Sequence, residues 1–341
     1  ISLYHLVIYF IKHGINSKES ATLKRHIILM TKNYIEISEV GPRDGLQSIK
    51  QVMPLEAKKA WVSAEAAAGV PEIEVGSFVP PRILPQLADT AELVAHALTI
   101  PGLIVAALIP NLKGAENALK AGVHKITIPL SASETHSLKN VNRTHTQMIT
   151  EVKNIAALIN NLPKDKRPKF EGGISTAFGC TLEGKIETDK ILALASALMD
   201  AGCDEVGLSD TTGYATPRHV VKLVKAVKGE VGNEHLTGLH IHNTRGLGLA
   251  NVVAALDHGI TTFDASLGGI GGCPFAPGAS GNIVTEDLAF MLDSMGYATG
   301  VDLDALFKVR DIVQEALPGE ELYGFTPDAG LPKGYPIGYK V

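Results

Sequence analysis

IVAALIPNLKGAENALKAGVHKITIP, residues 104–129, contains the unit from which the fold is read. Ile104 to Ile109 is a short β-rich run, a polar loop and an Ala-rich helical stretch follow, and Gly122 leads straight into a second β-rich run, Val123 to Pro129. A glycine at that point supplies the left-handed conformation that ends a helix. The same order of strand, loop, helix and glycine recurs, with Gly69, Gly202 and Gly259 in the place of Gly122. Thr216-Pro217 marks the opposite helix end, an N-cap hydroxyl and a proline at the first helical position, ahead of an apolar face of Val220, Leu223, Val224 and Val227.

Repeating this reading places β-rich runs at Tyr34 to Val40, Glu72 to Phe78, Ile104 to Ile109, Val123 to Pro129, Lys169 to Thr176, Glu205 to Ser209, Thr237 to His242 and Ile260 to Ser266. Eight strands separated by helices predict an α/β chain closed into a (β/α)8 TIM barrel, with extra C-terminal helices and a tail, in preference to an open doubly wound sheet. No Gly-x-Gly-x-x-Gly follows the first strand, and Gly246 to Asn251 lacks the third glycine, so dinucleotide binding is not supported. The 341 residues accommodate one barrel, assigned to residues 31–316, with residues 317–341 as a tail packing on the barrel or on a partner subunit. Hydrophobic residues at 45% against aromatics at 5% suit an interior filled by Ala, Val, Ile and Leu.

Residues 1–30 differ in character and are read as a non-native or disordered leader, with a transit peptide as the rival. The apolar run Tyr4 to Ile11 is too short to span a bilayer, which takes ~20 residues. A formal net charge of −5, without a dense Lys/Arg run, argues against nucleic acid as a partner. Cys180, Cys203 and Cys273 are odd in number and form no Cys-x-x-Cys pair, which suggests a reducing compartment, the cytoplasm, or the mitochondrial matrix if the leader is a transit peptide.

A barrel enzyme carries its chemistry at the C-terminal ends of its strands. Arg43 and Asp44 follow the first strand, Glu74 lies in the second, Asp210 follows the sixth, His240 and His242 end the seventh, and Cys273 and Asn282 follow the eighth. On a strand, side chains two apart share a face, so His240 and His242 can address one ion; read alone, the pair equally suits backbone hydrogen bonding. Asp44 and the amide oxygen of Asn282 complete a mixed nitrogen and oxygen set suited to Mg²⁺ or Mn²⁺. Taken singly, Asp44 reads as a helix cap and Asn282 as a loop former.

Gly41-Pro42-Arg43-Asp44-Gly45-Leu46-Gln47, His240-Ile241-His242-Asn243, Gly271-Gly272-Cys273-Pro274-Phe275-Ala276 and Gly278-Ala279-Ser280-Gly281-Asn282 together resemble the 3-hydroxy-3-methylglutaryl-CoA lyase family, over about Tyr34 to Gly300. The resemblance implies metal ligation by Asp44, His240, His242 and Asn282 and catalytic roles for Arg43 and Cys273. It implies cleavage of a tertiary 3-hydroxyacyl-CoA, in which the hydroxyl loses a proton and the bond to the thioester's α-carbon breaks. Arg43 would stabilise charge on the thioester oxygen, and Cys273, in a glycine-dense loop, would deliver a proton to carbon. Asp210 is expected as base or orienter, and Glu74 as an anchor for Arg43 or a metal-bound water. Gln47, Lys50 and Glu286 match positions near the substrate or metal shell, Lys50 facing a carboxylate or a CoA phosphate. The partners implied are an acyl-CoA substrate and a second copy of the chain, in a dimer or larger homo-oligomer.

The chain departs from mitochondrial members of that family at Asn243 and Arg245, and at Glu171 and Gly173, where those members carry Arg and Tyr. Gly173 leaves space that a larger acyl branch, or Arg245, can fill. The rivals are a citramalyl-CoA or longer-branched 3-hydroxyglutaryl-CoA lyase, a Claisen-condensing synthase, and a metal-binding scaffold without turnover. A Schiff-base aldolase needs a strand lysine, and Lys125 lies near the wrong end of its strand.

Overall fold

A computed structural model of the chain describes residues 33–271 and 281–335. Eight parallel strands close on themselves in chain order: β1 Glu36–Glu39, β2 Glu72–Ser77, β3 Ile104–Leu108, β4 Lys125–Ser131, β5 Lys169–Ser175, β6 Glu205–Ser209, β7 Gly238–His240 and β8 Thr262–Ala265, with β8 paired back onto β1. The α-helices of five residues or more among the described residues are α1 Leu55–Ala67, α2 Thr90–Ala97, α3 Leu112–Ala121, α4 Glu134–Val141, α5 His145–Asn160, α6 Thr188–Asp200, α7 Pro217–Val231, α8 Gly248–Leu256, α9 Thr285–Ser294, α10 Leu303–Ala316 and α11 Phe325–Ala329. The predicted barrel is present, and each β-rich run contains its strand except the fourth, where β4 continues two residues beyond Pro129 to Ser131. The leader assigned to residues 1–30 lies outside the described residues.

Local signals set the boundaries. Asn111 caps α3 by accepting from the Gly114 amide at 3.0 Å, and Gly122 ends it at φ +85°. Thr216 caps α7 with Pro217 behind it, and Val220, Leu223, Val224 and Val227 are its buried face. The apolar core lies between sheet and helices. Ile37, Ile73, Val105, Ile126, Phe170, Val206, Leu239 and Phe263 point outward from the strands onto Trp61, Leu93, Val152, Leu198, Val224 and Val252.

The aliphatic interior expected from composition is this layer between sheet and helices, whereas the inside of the barrel is polar. Its wall carries Ser38, Glu72, Lys125, Glu171, Glu205 and Asp264, around a cavity of about 710 Å³ open toward the strands' C-terminal ends. Gly173, Gly207 and Gly238 occupy one paired row on three adjacent strands, β5, β6 and β7. Small and polar side chains on the inner face therefore hollow the barrel that the aliphatic outer face holds together.

Candidate active site

Asp44 is placed by a tight turn, Gly41–Gly45, in which the amides of Asp44 and Gly45 both reach back to the Val40 carbonyl, at 2.7 and 3.4 Å. Glycine is required at its head. A Cβ on Gly41 would lie 2.5 Å from Glu39 Oε1 and 2.8 Å from the Trp61 ring. His240 is the last residue of β7, and His242 follows in an isolated bridge to Asn282. That bridge, with the Asn243 amide donating to the Gly281 carbonyl at 3.0 Å, brings the chain after β8 back beside β7. Residues more than two hundred positions apart meet in this way.

His240 Nε2 and His242 Nε2 stand 3.0 Å apart, with Asp44 Oδ2 at 3.9 and 3.8 Å from them. One potential ligand atom from each residue lies within 4.8 Å of the others. The Asn282 Nδ2 donates to Asp44 Oδ2 at 2.8 Å, while its Oδ1 is buried with no partner among the described residues. Three electron-rich atoms facing one another repel unless a proton or a cation lies among them. The donor set of two imidazole nitrogens, a carboxylate and a reversible amide therefore fits a divalent cation.

The electrostatics agree. Burial pushes the Asp44 carboxyl up, but Arg43, then His240 and His242, outweigh it and hold the group well below the usual carboxylate range. Burial and the adjacent His240 push the His242 imidazole down to about 3, which keeps it neutral with a lone pair to offer. Burial also lowers His240, but its hydrogen bond to Asp264 and the charge of Asp44 outweigh that and raise it. Asp264 Oδ2 lies 3.0 Å from His240 Nδ1, fixing the ring so that Nε2 faces the cluster. Asp264 escaped sequence reading; its signal was a lone acid in the otherwise uncharged run Ile260 to Ser266.

Arg43 is buried beside this cluster, its Nε donating to Glu74 and its Nη1 to Asp44 Oδ1 at 2.6 Å. Glu74 thus anchors Arg43, one of the two roles expected of it. Gln47 donates to Asp44 Oδ1 at 2.8 Å. Arg43, Asp44, Gln47, Glu74, His240 and His242 all line the barrel cavity.

Other expected residues lie elsewhere. Lys50 is exposed and outside the cavity wall. Glu286 is fully buried under the chain after β8, where it accepts from the Gly268 amide at 3.0 Å and pairs with Arg310, so the expectation of a substrate contact is corrected. Asp210 also stays off the wall. Its Oδ1 accepts the Tyr214 and Ala215 amides at 2.7 and 3.1 Å, its Oδ2 is buried with no partner among the described residues, and burial raises the group to about 6. Glu171 sits low in the barrel, 2.7 Å from Lys125, and not at the mouth. Arg245 is not in the space beside Gly173, because its guanidinium donates to the Thr212 and Gly213 carbonyls and stacks on Tyr214. Cys273 lies outside the described residues.

The model of one family, HMGL-like, matches residues 34–313. The chain belongs to the HMGL-like family. Curated relatives agree with that membership. A 3-hydroxy-3-isohexenylglutaryl-CoA/hydroxymethylglutaryl-CoA lyase of Pseudomonas aeruginosa is 40% identical over 80% of this chain and 89% of its own. The hydroxymethylglutaryl-CoA lyase YngG of Bacillus subtilis is 38% identical over 83% of this chain and 93% of its own. The mitochondrial hydroxymethylglutaryl-CoA lyase of Arabidopsis thaliana is 37% identical over 90% of this chain, which spans 65% of that longer protein. Among solved structures, an HMG-CoA lyase from Acinetobacter baumannii in complex with coenzyme A and 3-methylmalate superposes with a TM-score of 0.83 at 39% identity, covering 89% of this chain and 98% of that one. As an HMGL-like barrel the chain is a carbon–carbon lyase by family. No helix among its described residues is long and apolar enough to cross a membrane.

Proposed function

We propose that this HMGL-like protein cleaves 3-hydroxy-3-methylglutaryl-CoA to acetyl-CoA and acetoacetate. The observation that carries the reading is the meeting of Arg43 with the Asp44, His240 and His242 cluster on one cavity wall. The names of the Pseudomonas and Bacillus relatives support the acyl group, and the coenzyme A of the Acinetobacter complex supports a thioester partner.

Asp44, His240, His242 and, with its amide turned over, Asn282 would hold a Mg²⁺ or Mn²⁺ ion. Such an ion, when bound, lowers the pKa of a hydroxyl and fixes its carrier. The rest falls to the chain. Arg43 remains charged because Glu74 and Asp44 outweigh the effect of its burial, and two of its five donors are occupied by them. Its remaining donors stabilise negative charge on the thioester oxygen as the carbon–carbon bond breaks. With the hydroxyl proton passed to water, the electrons of that bond move to the thioester's α-carbon, the alkoxide becomes the ketone of acetoacetate, and a proton added at the carbon gives acetyl-CoA. Cys273 is the proposed donor of that proton, and Asp210 orients the loop behind His240. The test is direct. Protein loaded with Mg²⁺ is mixed with the substrate and both products are quantified; absence of acetyl-CoA and acetoacetate refutes the reading.

A second substrate has a specific observation in its favour. Gly173 and Gly238 leave the cavity wall below His240 without side chains on β5 and β7, the Glu171 carboxylate covering Gly207 between them, and a Cβ at Gly173 would come no closer than 3.3 Å to any neighbour, the Thr127 methyl. A C3 branch longer than methyl fits there, in line with the isohexenyl group in the Pseudomonas relative's name. Gly173→Tyr is expected to lower kcat/KM for a longer C3 branch about 10-fold or more while sparing the methyl substrate. Equal effects on both substrates would remove this reading.

A further inference from the structure

One series of contacts that the proposed chemistry leaves unused runs from α10 to the wall of the site. Arg310 donates through Nη1 to Glu286 at 2.5 Å and to the Tyr323 carbonyl at 2.9 Å, and through Nη2 to the Leu322 carbonyl at 3.0 Å. Glu286, at the start of α9, accepts from the Gly268 amide, and the Gly268 carbonyl accepts from the Tyr323 amide at 2.8 Å. Gly268 is thus held on both sides of its backbone, and Arg310 joins the two holders. A side chain cannot intrude at Gly268, where φ is +61° and a Cβ would lie 2.9 Å from Leu322 Cβ.

Two residues further on, the same segment touches the site. A Cβ on Gly45, next to Asp44, would meet Ile270 at 3.3 Å, so the two segments are in close contact. A Cβ on Gly271 would lie 2.8 Å from Asn282 Nδ2 and 3.1 Å from Gly45 Cα. The backbone from Gly268 to Gly271 is therefore wedged between the C-terminal segment and the residues that carry Asp44 and Asn282. Close-packed backbone transmits displacement because it has no slack to absorb it.

We propose that Arg310 is a positioning residue, which locks the C-terminal segment Leu322–Tyr323 to Glu286 and so fixes the Gly268–Gly271 backbone against Asp44 and Asn282. The kinetic consequence rests on the reaction proposed above; the metal-binding consequence does not. Lysine keeps the positive charge but lacks the planar fork that reaches a carboxylate and two successive carbonyls at once. A brace serving stability alone would tolerate that change in everything but melting temperature.

The experiment compares the full chain with Arg310→Lys and with the double variant Glu286→Gln/Arg310→Met, which leaves no buried charge unpaired. Mn²⁺ binding is read by electron paramagnetic resonance of the free ion, and kcat and KM by acetyl-CoA release. We expect both variants to bind Mn²⁺ about 10-fold more weakly, in the range of losses from residues that orient metal ligands. A kcat about 10-fold lower with KM nearly unchanged is expected alongside. Wild-type Mn²⁺ affinity in either folded variant overturns the proposal, whatever happens to the melting temperature. If the unaltered protein binds Mn²⁺ yet cleaves no 3-hydroxyacyl-CoA, the proposed reaction fails and the Mn²⁺ comparison still decides the role of Arg310.

Discussion

Two clusters of charge share the inside of this barrel, and they differ in how completely they satisfy themselves. At the floor, Lys125 lies 2.7 Å from Glu171, 3.4 Å from Glu72 and 3.5 Å from Glu205. Glu205 also receives Lys169 at 2.6 Å and Thr237 at 2.9 Å, and Glu72 receives Ser38 at 2.8 Å. At the mouth, two imidazole nitrogens face each other, and Asn282 Oδ1 is buried with no partner among the described residues. Buried polar groups left without partners are costly, and their persistence marks a place built for something else to bind. The floor is closed chemistry; the mouth is open.

The largest test of that contrast removes the mouth's capacity for a cation. Asp44→Ala, or chelation of the wild type, is expected to lower turnover by at least about 10³-fold, because several kcal/mol of charge stabilisation go with the ion. Restoring Mg²⁺ or Mn²⁺ should rescue the chelated wild type and not the variant. Unchanged activity in either arm would make the mouth another closed cluster. Arg43→Met comes next, with kcat expected to fall about 10²- to 10³-fold and Mn²⁺ affinity largely kept. Parallel losses of both would mean that Arg43 serves Asp44 and not the substrate.

At the floor the expectation reverses. Lys125 is held charged, because Glu171, Glu72 and Glu205 outweigh the downward push of its burial, so it offers no free amine for Schiff-base chemistry. Lys125→Met leaves those acids facing one another and is expected to cost about 2–3 kcal/mol, the loss of a buried pair moderated by protonation of a carboxylate. Urea unfolding measures that cost, and Mn²⁺ affinity should not move. A variant that keeps its stability but loses metal would erase the distinction between floor and mouth.

Much of this was legible before any coordinates. The barrel follows from the helix-ending glycines at Gly69, Gly122, Gly202 and Gly259, all of which have positive φ, because such punctuation is local. Asp44, His240 and His242 were legible as a set because strand periodicity and barrel closure dictate where strand ends meet. Glu286 was misread, since one sequence position cannot tell a carboxylate facing a cavity from one facing a backbone amide. The polar lumen was not legible for a related reason. Composition counts aliphatic residues without saying which side of the sheet they occupy, and here Ile37, Val105 and Leu239 face the helices.

Glu39 gives the smallest and most specific test, because it lies behind the mouth yet resembles the floor in being fully bonded. Its Oε1 accepts the Gly41 and Leu267 amides at 2.8 and 3.0 Å, and its Oε2 the Thr285 hydroxyl at 2.6 Å. Burial nevertheless pushes its carboxyl from 4.5 up to about 7. A carboxyl raised in the folded state binds more protons folded than unfolded between those two values. Its contribution to stability is therefore complete at lower pH and is lost as pH rises from about 4.5 through about 7. Glu39→Gln removes that titration and also the charge that helps to raise its buried neighbour Glu65, so both changes act in the same direction. The lost hydrogen bonds shift stability by an offset independent of pH, whereas the titration enters as a slope of at most about 1.4 kcal/mol per pH unit. The difference between wild-type and variant unfolding free energies, measured in urea from pH 5 to pH 7, should move steadily against the wild type as pH rises. A flat difference would mean that the amides of Gly41 and Leu267 keep Glu39 ionised throughout, and that the bonds behind the mouth are as fully satisfied as those at the floor.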